Sequence, residues 1–208
     1  MGDTFIENIL EKHKQGLPGV EAFKKMMFEE RMQTLAAPPT ARKACTMMLL
    51  FPKNQEWHIV LTERTSTNTN DRHSGQMSFP GGQLDPSDDS LLACALRETQ
   101  EEIGISPHHI NVIGQMTDLY IPISNFHVFP FLAWMDTPPQ YLQQMTEVHQ
   151  IIETPLSILS NPINRKTMPM SMTIRGEHYE RDVPYYDVYG KKVWGATALM
   201  LSELLELI

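Results

Sequence analysis

The stretch from Ser78 to Ile105 limits what this chain can fold into more than any other. It opens with Phe79-Pro80-Gly81-Gly82, a glycine pair behind a proline, which reads as a turn. An acidic linker, Asp85-Pro86-Ser87-Asp88-Asp89, leads into a run with helical spacing. Leu91, Leu92, Ala95, Leu96 and Ile103 form one apolar stripe that has to find a core. Asp88 and Asp89 stand where an N-cap and an acidic first turn are expected. Gly104 suits a left-handed residue after the last turn. Glu98, Glu101 and Glu102 are related as i, i+3 and i+4 and share a helix face, where like charges cost roughly 0.2–0.5 kcal/mol per pair. Solvent can offset that repulsion, leaving a plain acidic surface. A hard divalent cation can offset it too, because Mg²⁺ favours carboxylate oxygens, water and substrate phosphates.

The pattern Gly82 … Arg97-Glu98-x-x-Glu101-Glu102-x-Gly104-Ile105 resembles the Nudix box, the signature of hydrolases acting on a nucleoside diphosphate linked to another group. The usual box carries a Glu six residues after the glycine and eight before the arginine. This chain has one extra linker residue and offers Asp88 or Asp89 there, and Thr99 stands where an aliphatic residue is usual. The linker Asp85-Pro86-Ser87-Asp88 is similar to that of one subgroup, the coenzyme A diphosphatases. So is the upstream pattern Leu61-Thr62-x-Arg64-Thr65 … Arg72-His73-Ser74-Gly75-x-x-x-Phe79-Pro80-Gly81-Gly82, although Arg72 lies farther from Arg64 than the subgroup motif has it and Asp71 takes the motif's arginine position. Val193-Trp194-Gly195-x-Thr197 resembles the same subgroup.

The resemblance implies an α/β fold, the Nudix α/β/α sandwich with a central mixed β-sheet, here with an N-terminal helical extension over residues 1–36 and a single hydrolase domain over 37–208 that ends in a helix. It implies that Glu98, Glu101 and Glu102, with the Gly82 carbonyl, hold Mg²⁺ or Mn²⁺. Arg97 would orient these glutamates through charge-assisted hydrogen bonds. Glu147 begins a segment, Glu147 to Leu156, that resembles the place where many family members carry a further acidic residue. Arg97, Glu101 and Glu147 are thus the catalytic candidates, and the base is open among the carboxylates, with His149 a lesser candidate. Arg64, Arg72, Gly81 and Tyr120 are the substrate-binding candidates. A guanidinium fork engages phosphate bidentately, and Tyr120 and Phe126 can stack on a base, though core packing is the simpler reading of Phe126. The implied reaction is hydrolysis of coenzyme A or an acyl derivative to adenosine 3′,5′-diphosphate and (acyl-)phosphopantetheine. ADP-ribose or a dinucleotide is the alternative substrate. A non-catalytic binding module is the alternative of another class, and the retention of all three box glutamates speaks against it.

The rest of the chain is compatible with this. Its 208 residues suit one domain, and 41% are hydrophobic, enough for a core. A net charge of −8 without a basic tract argues against nucleic acid or an anionic membrane as partner. A small-molecule diphosphate is the expected partner, and a negative protein needs local positive charge or a metal to hold one. No apolar run approaches the roughly 20 residues of a membrane span, and no secretory signal pattern opens the chain. Cytoplasmic residence is the expectation. Cys45 and Cys94, each in an apolar pattern, read as buried reduced thiols.

Helical character is read over residues 3–13 and 20–34, broken at Leu17-Pro18-Gly19. Phe23, Met26, Met27 and Met32 give a Met-rich side, suited to core packing, a substrate wall or a homodimer contact. Strands are expected over 44–51, 57–62, 110–117 and 126–135, the last nearly continuously apolar and therefore central. The polar run over 63–77 is a long loop, of a length usually tied to function. Residues 157–176 read as irregular, 177–188 as a β-ribbon, and the C-terminus as a helix with Leu201, Leu204, Leu205 and Ile208 on its apolar side.

Overall fold

The computed structural model describes residues 2–28, 36–65, 75–174 and 177–208. Its centre is a mixed sheet. Strands β1 (Arg42–Lys53) and β2 (Glu56–Arg64) form a hairpin whose turn residues, Asn54 and Gln55, both have positive φ. Such turns match the right-handed twist of the strands they join. Short strands β3 (Met77–Ser78) and β4 (Gly81–Gln83) precede helix α3 (Leu91–Ile103). After it come β5 (Asn111–Gln115), β6 (Leu119–Ile121), β7 (Phe126–Trp134) and β8 (Val148–Pro155). The main path runs β3-β2-β1-β7-β5, with β4 paired to β1, β6 to β7 and β8 to β2. The expected central strand is central: β7 lies parallel to β1, from Arg42 opposite Phe126 to Leu50 opposite Trp134.

Strand periodicity sorts β1 between two cores. Ala44, Met48 and Leu50 point to one face; Cys45, Met47, Leu49 and Phe51 point to the other. Buried on both faces, the stretch Met47–Phe51 reads as a continuous apolar run rather than an alternating one. Helix α3 covers the second face with Cys94, Ala95 and Ile103. The first face is covered by α1 (Gly2–Gln15), α2 (Val20–Phe23) and the C-terminal helix α5 (Gly195–Leu207), giving the expected sandwich. No helix among the described residues is long and apolar enough to cross a membrane.

Four local expectations are corrected. Ser90, not Asp88 or Asp89, caps α3: its hydroxyl accepts from the Ala93 amide at 3.0 Å. Asp88 is drawn away by Arg97, as described below. The second N-terminal helix stops at Phe23 and yields one 3₁₀ turn, Lys24–Met26, before Met27 turns extended. Residues 29–35, with Met32, lie outside the described residues. The region read as irregular contains α4 (Leu156–Ser160) and strand β9 (Arg165–Ile174), which pairs with β10 (Glu177–Val188), itself paired with β11 (Lys191–Trp194). Its Ser, Thr, Asn and Pro content hides a strand whose partner is supplied only by the following segment. Finally, α5 is buried from Thr197 through Leu204 and at Leu207, not on one side alone, because the sheet lies on one flank and the N-terminal helices on another. The same burial takes in Glu203. Its carboxylate accepts from the amides of Gly19 (2.9 Å) and Thr117 (3.1 Å) and from the Thr117 hydroxyl (2.5 Å), tying the N-terminal segment to the helix.

Candidate active site

The glycine pair is required by crowding. Pro80 accepts from the Met47 amide, and β4 then runs along β1, with Gly82 opposite Cys45. A Cβ on Gly81 would stand 2.3 Å from the Cys45 carbonyl oxygen. One on Gly82 would stand 2.5 Å from the carboxyl atoms of Glu98. The backbone is thus squeezed between a central strand and the acidic face of α3, and only glycine lets it pass. At the far end of α3, Gly104 adopts φ 77° and donates to the Gln100 carbonyl, the expected left-handed cap.

Arg97 organises the polar face. Its Nε and Nη2 engage both oxygens of Asp88 at 2.8 and 2.9 Å, a bidentate pair whose carboxylate side chain is only 4% exposed. The guanidinium holds the Asp88 carboxyl down at about 2, and the carboxylates in turn raise Arg97. Nη1 reaches Glu98 at 2.8 Å and Glu101 at 2.9 Å. Nη2 also points to the Gln83 carbonyl at 3.4 Å. One side chain therefore ties the linker, the glycine turn and two box glutamates together. Sequence spacing assigns Asp88 to the helix cap; its role as the partner of Arg97 is the site feature that spacing does not reveal. The extra linker residue is absorbed by a turn in which Asp85 Oδ1 accepts from Ser87, and the Asp85 amide donates to Asp88 Oδ2 at 2.8 Å.

The three glutamates do not share one environment. Glu101 is 56% exposed, the side chain of Glu98 13%, that of Glu102 4%. A solvated acidic face describes Glu101 alone. Glu102 turns inward, accepts from the Gly81 amide at 3.3 Å and faces the Arg64 guanidinium at 3.9 Å. Burial outweighs both and pushes its carboxyl up to about 8. Burial also raises Glu98, against the opposing pull of Arg97. Glu147 sits on the exposed turn before β8, and its charge contributes to the rise of both Glu98 and Glu102. It makes no ion pair among the described residues. His149 is exposed in β8.

Arg64 ends β2, where the pairing with β8 shifts register. Tyr120, in β6, donates its hydroxyl to Asn125 at 2.9 Å. Arg72, with His73, lies outside the described residues. The Gly82 carbonyl takes a weak contact from the Cys94 thiol at 3.9 Å. Cys45 and Cys94 are both free and buried, as expected. Their mutual hydrogen bond raises Cys94, with burial adding to it, and lowers Cys45. Phe126 has one ring face covered: the Arg42 guanidinium stacks on it 4.0 Å from the centroid and donates to the Ser124 carbonyl at 3.0 Å. Arg42 had no signal in the sequence, because its position depends on β1 and β7 lying side by side.

Five carboxylates (Asp88, Glu98, Glu101, Glu102, Glu147) and two guanidiniums (Arg64, Arg97) therefore share one site. Among the described residues no three acidic, imidazole or thiol groups converge as a ready cage. The donor set nevertheless fits a hard divalent ion: oxygen ligands in excess of the cationic charge, one of them a buried carboxyl that resists ionising alone. Beside the site opens a cavity of about 990 Å³, reached by Arg64, Gly81, Gly82 and Tyr120 and walled mostly by apolar side chains.

Comparison with known proteins is consistent with this geometry. The NUDIX domain model matches residues 41–154. An uncharacterized Nudix hydrolase NudL of Cronobacter sakazakii is 34% identical over 163 residues, covering 78% of this chain and 81% of that protein. The human mitochondrial coenzyme A diphosphatase NUDT8 is 33% identical over 188 residues, covering 86% of this chain and 78% of that protein. The crystal structure of a MutT/nudix family protein from Enterococcus faecalis matches the fold with a TM-score of 0.54, covering 89% of this chain and 71% of that one at 12% identity. Sheet order, glycine turn and glutamate helix are thus those of a known lineage, and this chain belongs to the Nudix hydrolases, pyrophosphatase-type enzymes acting on phosphorus-containing anhydrides.

Proposed function

We propose that the enzyme cleaves the diphosphate of coenzyme A or an acyl-CoA, releasing adenosine 3′,5′-diphosphate and the (acyl-)4′-phosphopantetheine. The observation that carries this reading is the placement of Arg64, from the Leu61-Thr62-x-Arg64-Thr65 pattern, in the lining of the cavity and against Glu102. The likeness to a coenzyme A diphosphatase over most of the chain supports it. Residues 37–208 form the catalytic unit in this reading, and 1–36 an extension whose helices α1 and α2 pack on it.

Glu98, Glu101 and Glu102 would hold Mg²⁺ or Mn²⁺, with the Gly82 carbonyl alongside; such an ion supplies Lewis-acid charge to the diphosphate and makes water more acidic. The chain's own residues do the rest. Arg97 keeps Glu98 and Glu101 in place and is itself anchored by Asp88. Arg64, two-fifths exposed, presents its fork to the phosphates. Glu147, the carboxylate of the group without an ion pair among the described residues, takes the proton from the attacking water. The water oxygen bonds to one phosphorus, the bridging P–O bond breaks, and the leaving phosphate departs with its charge balanced by the cationic groups. Little covalent chemistry is asked of the protein, so positioning and electrostatics dominate. Product analysis with coenzyme A, ADP-ribose and a dinucleotide, each with Mg²⁺ and Mn²⁺, tests the reading. Release of adenosine 3′,5′-diphosphate at the highest kcat/KM supports it; a preference for ADP-ribose or the dinucleotide overturns the substrate. Glu101→Gln activity equal to that of the parent overturns the metal role.

A further inference from the structure

We infer that the apolar cavity is a subsite for the acyl chain of an acyl-CoA, and that the parts of its wall lying outside residues 41–154 set which chain fits. The inference rests on the coenzyme A reading and deepens it. At about 990 Å³ the cavity is at the upper end of the range of small-molecule sites. A diphosphate needs none of its apolar wall. Met26, Met27 and Phe28 come from the segment after α2; Val183, Trp194 and Met200 come from β10, β11 and α5. All six lie outside residues 41–154, the part matched by the family model. The same cavity is lined by Gly81, Gly82 and Arg64, so a chain held there is continuous with the place where the diphosphate is cleaved. The sequence places a Met-rich side on residues 23–32, with core packing, a substrate wall or a homodimer contact as its uses. The structure divides them: Phe23 is wholly in the core, Met26 is buried yet lines the cavity, and Met27 is part-exposed on its wall. Methionine is suited to this position, because its unbranched, polarisable side chain repacks around chains of differing length.

Chain length is the measurement. With the full-length protein and Mg²⁺, kcat/KM for acetyl-, butyryl-, hexanoyl-, octanoyl- and decanoyl-CoA is expected to rise by up to about fourfold per methylene until the cavity is filled. Calorimetric titration without added metal should show octanoyl-CoA binding at least about tenfold more tightly than coenzyme A, which separates chain binding from turnover. Met27→Trp, which fills the wall from a part-exposed position, should lower the octanoyl-CoA to coenzyme A ratio of kcat/KM, and Met27→Ala should shift the optimum to longer chains. A flat profile with efficient hydrolysis of coenzyme A overturns the subsite while leaving the coenzyme A reading intact. Hydrolysis of ADP-ribose without hydrolysis of any coenzyme A species overturns both. Unequal chain preference that neither Met27 variant moves overturns the assignment to the N-terminal wall.

Discussion

The two faces of the central sheet solve opposite problems. On the α3 face the backbone is packed to the limit: Gly81, Gly82 and Gly104 each lack room for a single added carbon, and Met47, Leu49, Phe51 and Ile103 are fully buried. On the α5 face the same sheet borders a cavity of about 990 Å³. The box glutamates and Arg97 are carried by the tight face, whereas Arg64 lines the cavity, whose apolar volume lies on the open one. The difference has a physical reason. Charged groups that act together must be held to fractions of an ångström, whereas an apolar subsite is non-directional and gains from area rather than exact placement.

The comparison can be broken in four ways, in descending order of effect. Glu102→Gln should lower kcat by about 10²–10³-fold with little change in the fold, because an amide keeps the shape but cannot ionise to face a cation; assay with Mg²⁺ and a melting curve check this. Second is pH. Burial raises the folded-state carboxyl of Glu102 from 4.5 to about 8. A raised carboxyl contributes stability that is fully present below 4.5 and is lost as pH rises through about 8. The parent should therefore melt lower as pH rises across that window, and Glu102→Gln should flatten the slope. A cation competing with this proton should bind up to about tenfold more tightly per pH unit in the same window; titration calorimetry at several pH values reads it.

Third, Asp88→Asn should cost about 3 kcal/mol in urea unfolding and about 10–100-fold in activity, since Arg97 loses its bidentate anchor and releases Glu98 and Glu101. In the parent, the carboxyl lowered to about 2 contributes stability above 3.8 that is lost as pH falls through about 2. The variant should lack that acid limb. Fourth, the faces should differ under truncation. Met47→Ala on the packed face should cost about 3–5 kcal/mol, and Met200→Ala beside the cavity about 2 kcal/mol or less, because its surroundings already lack contacts on one side. Equal losses by chemical denaturation would remove the distinction between the faces.

The local signals in the chain were those carried by covalent geometry and short-range pattern. The hairpin, the nearly continuous apolar run of β7, the helix Leu91–Ile103 and its glycine cap follow from periodicity and turn chemistry. So does the box itself, whose spacing places Arg97 and three glutamates on one helix. Residues whose role depends on a distant partner were not legible. Asp88 looked like a helix cap until Arg97 claimed it, leaving the cap to Ser90. Residues 165–174 looked irregular because their strand exists only through pairing with β10.

What the sequence by itself determined is the family and the placing of Arg97 and three glutamates on one helix, because a helix repeats every few residues and brings near neighbours together without any help from the fold. Tertiary structure alone decided how those residues differ. Burial separates an exposed Glu101 from a Glu102 whose carboxyl titrates at about 8. It also decided that segments from both ends of the chain join the sheet in walling the cavity on the face opposite α3. Desolvation and enclosure depend on what the rest of the chain brings near, and that is information no local stretch contains.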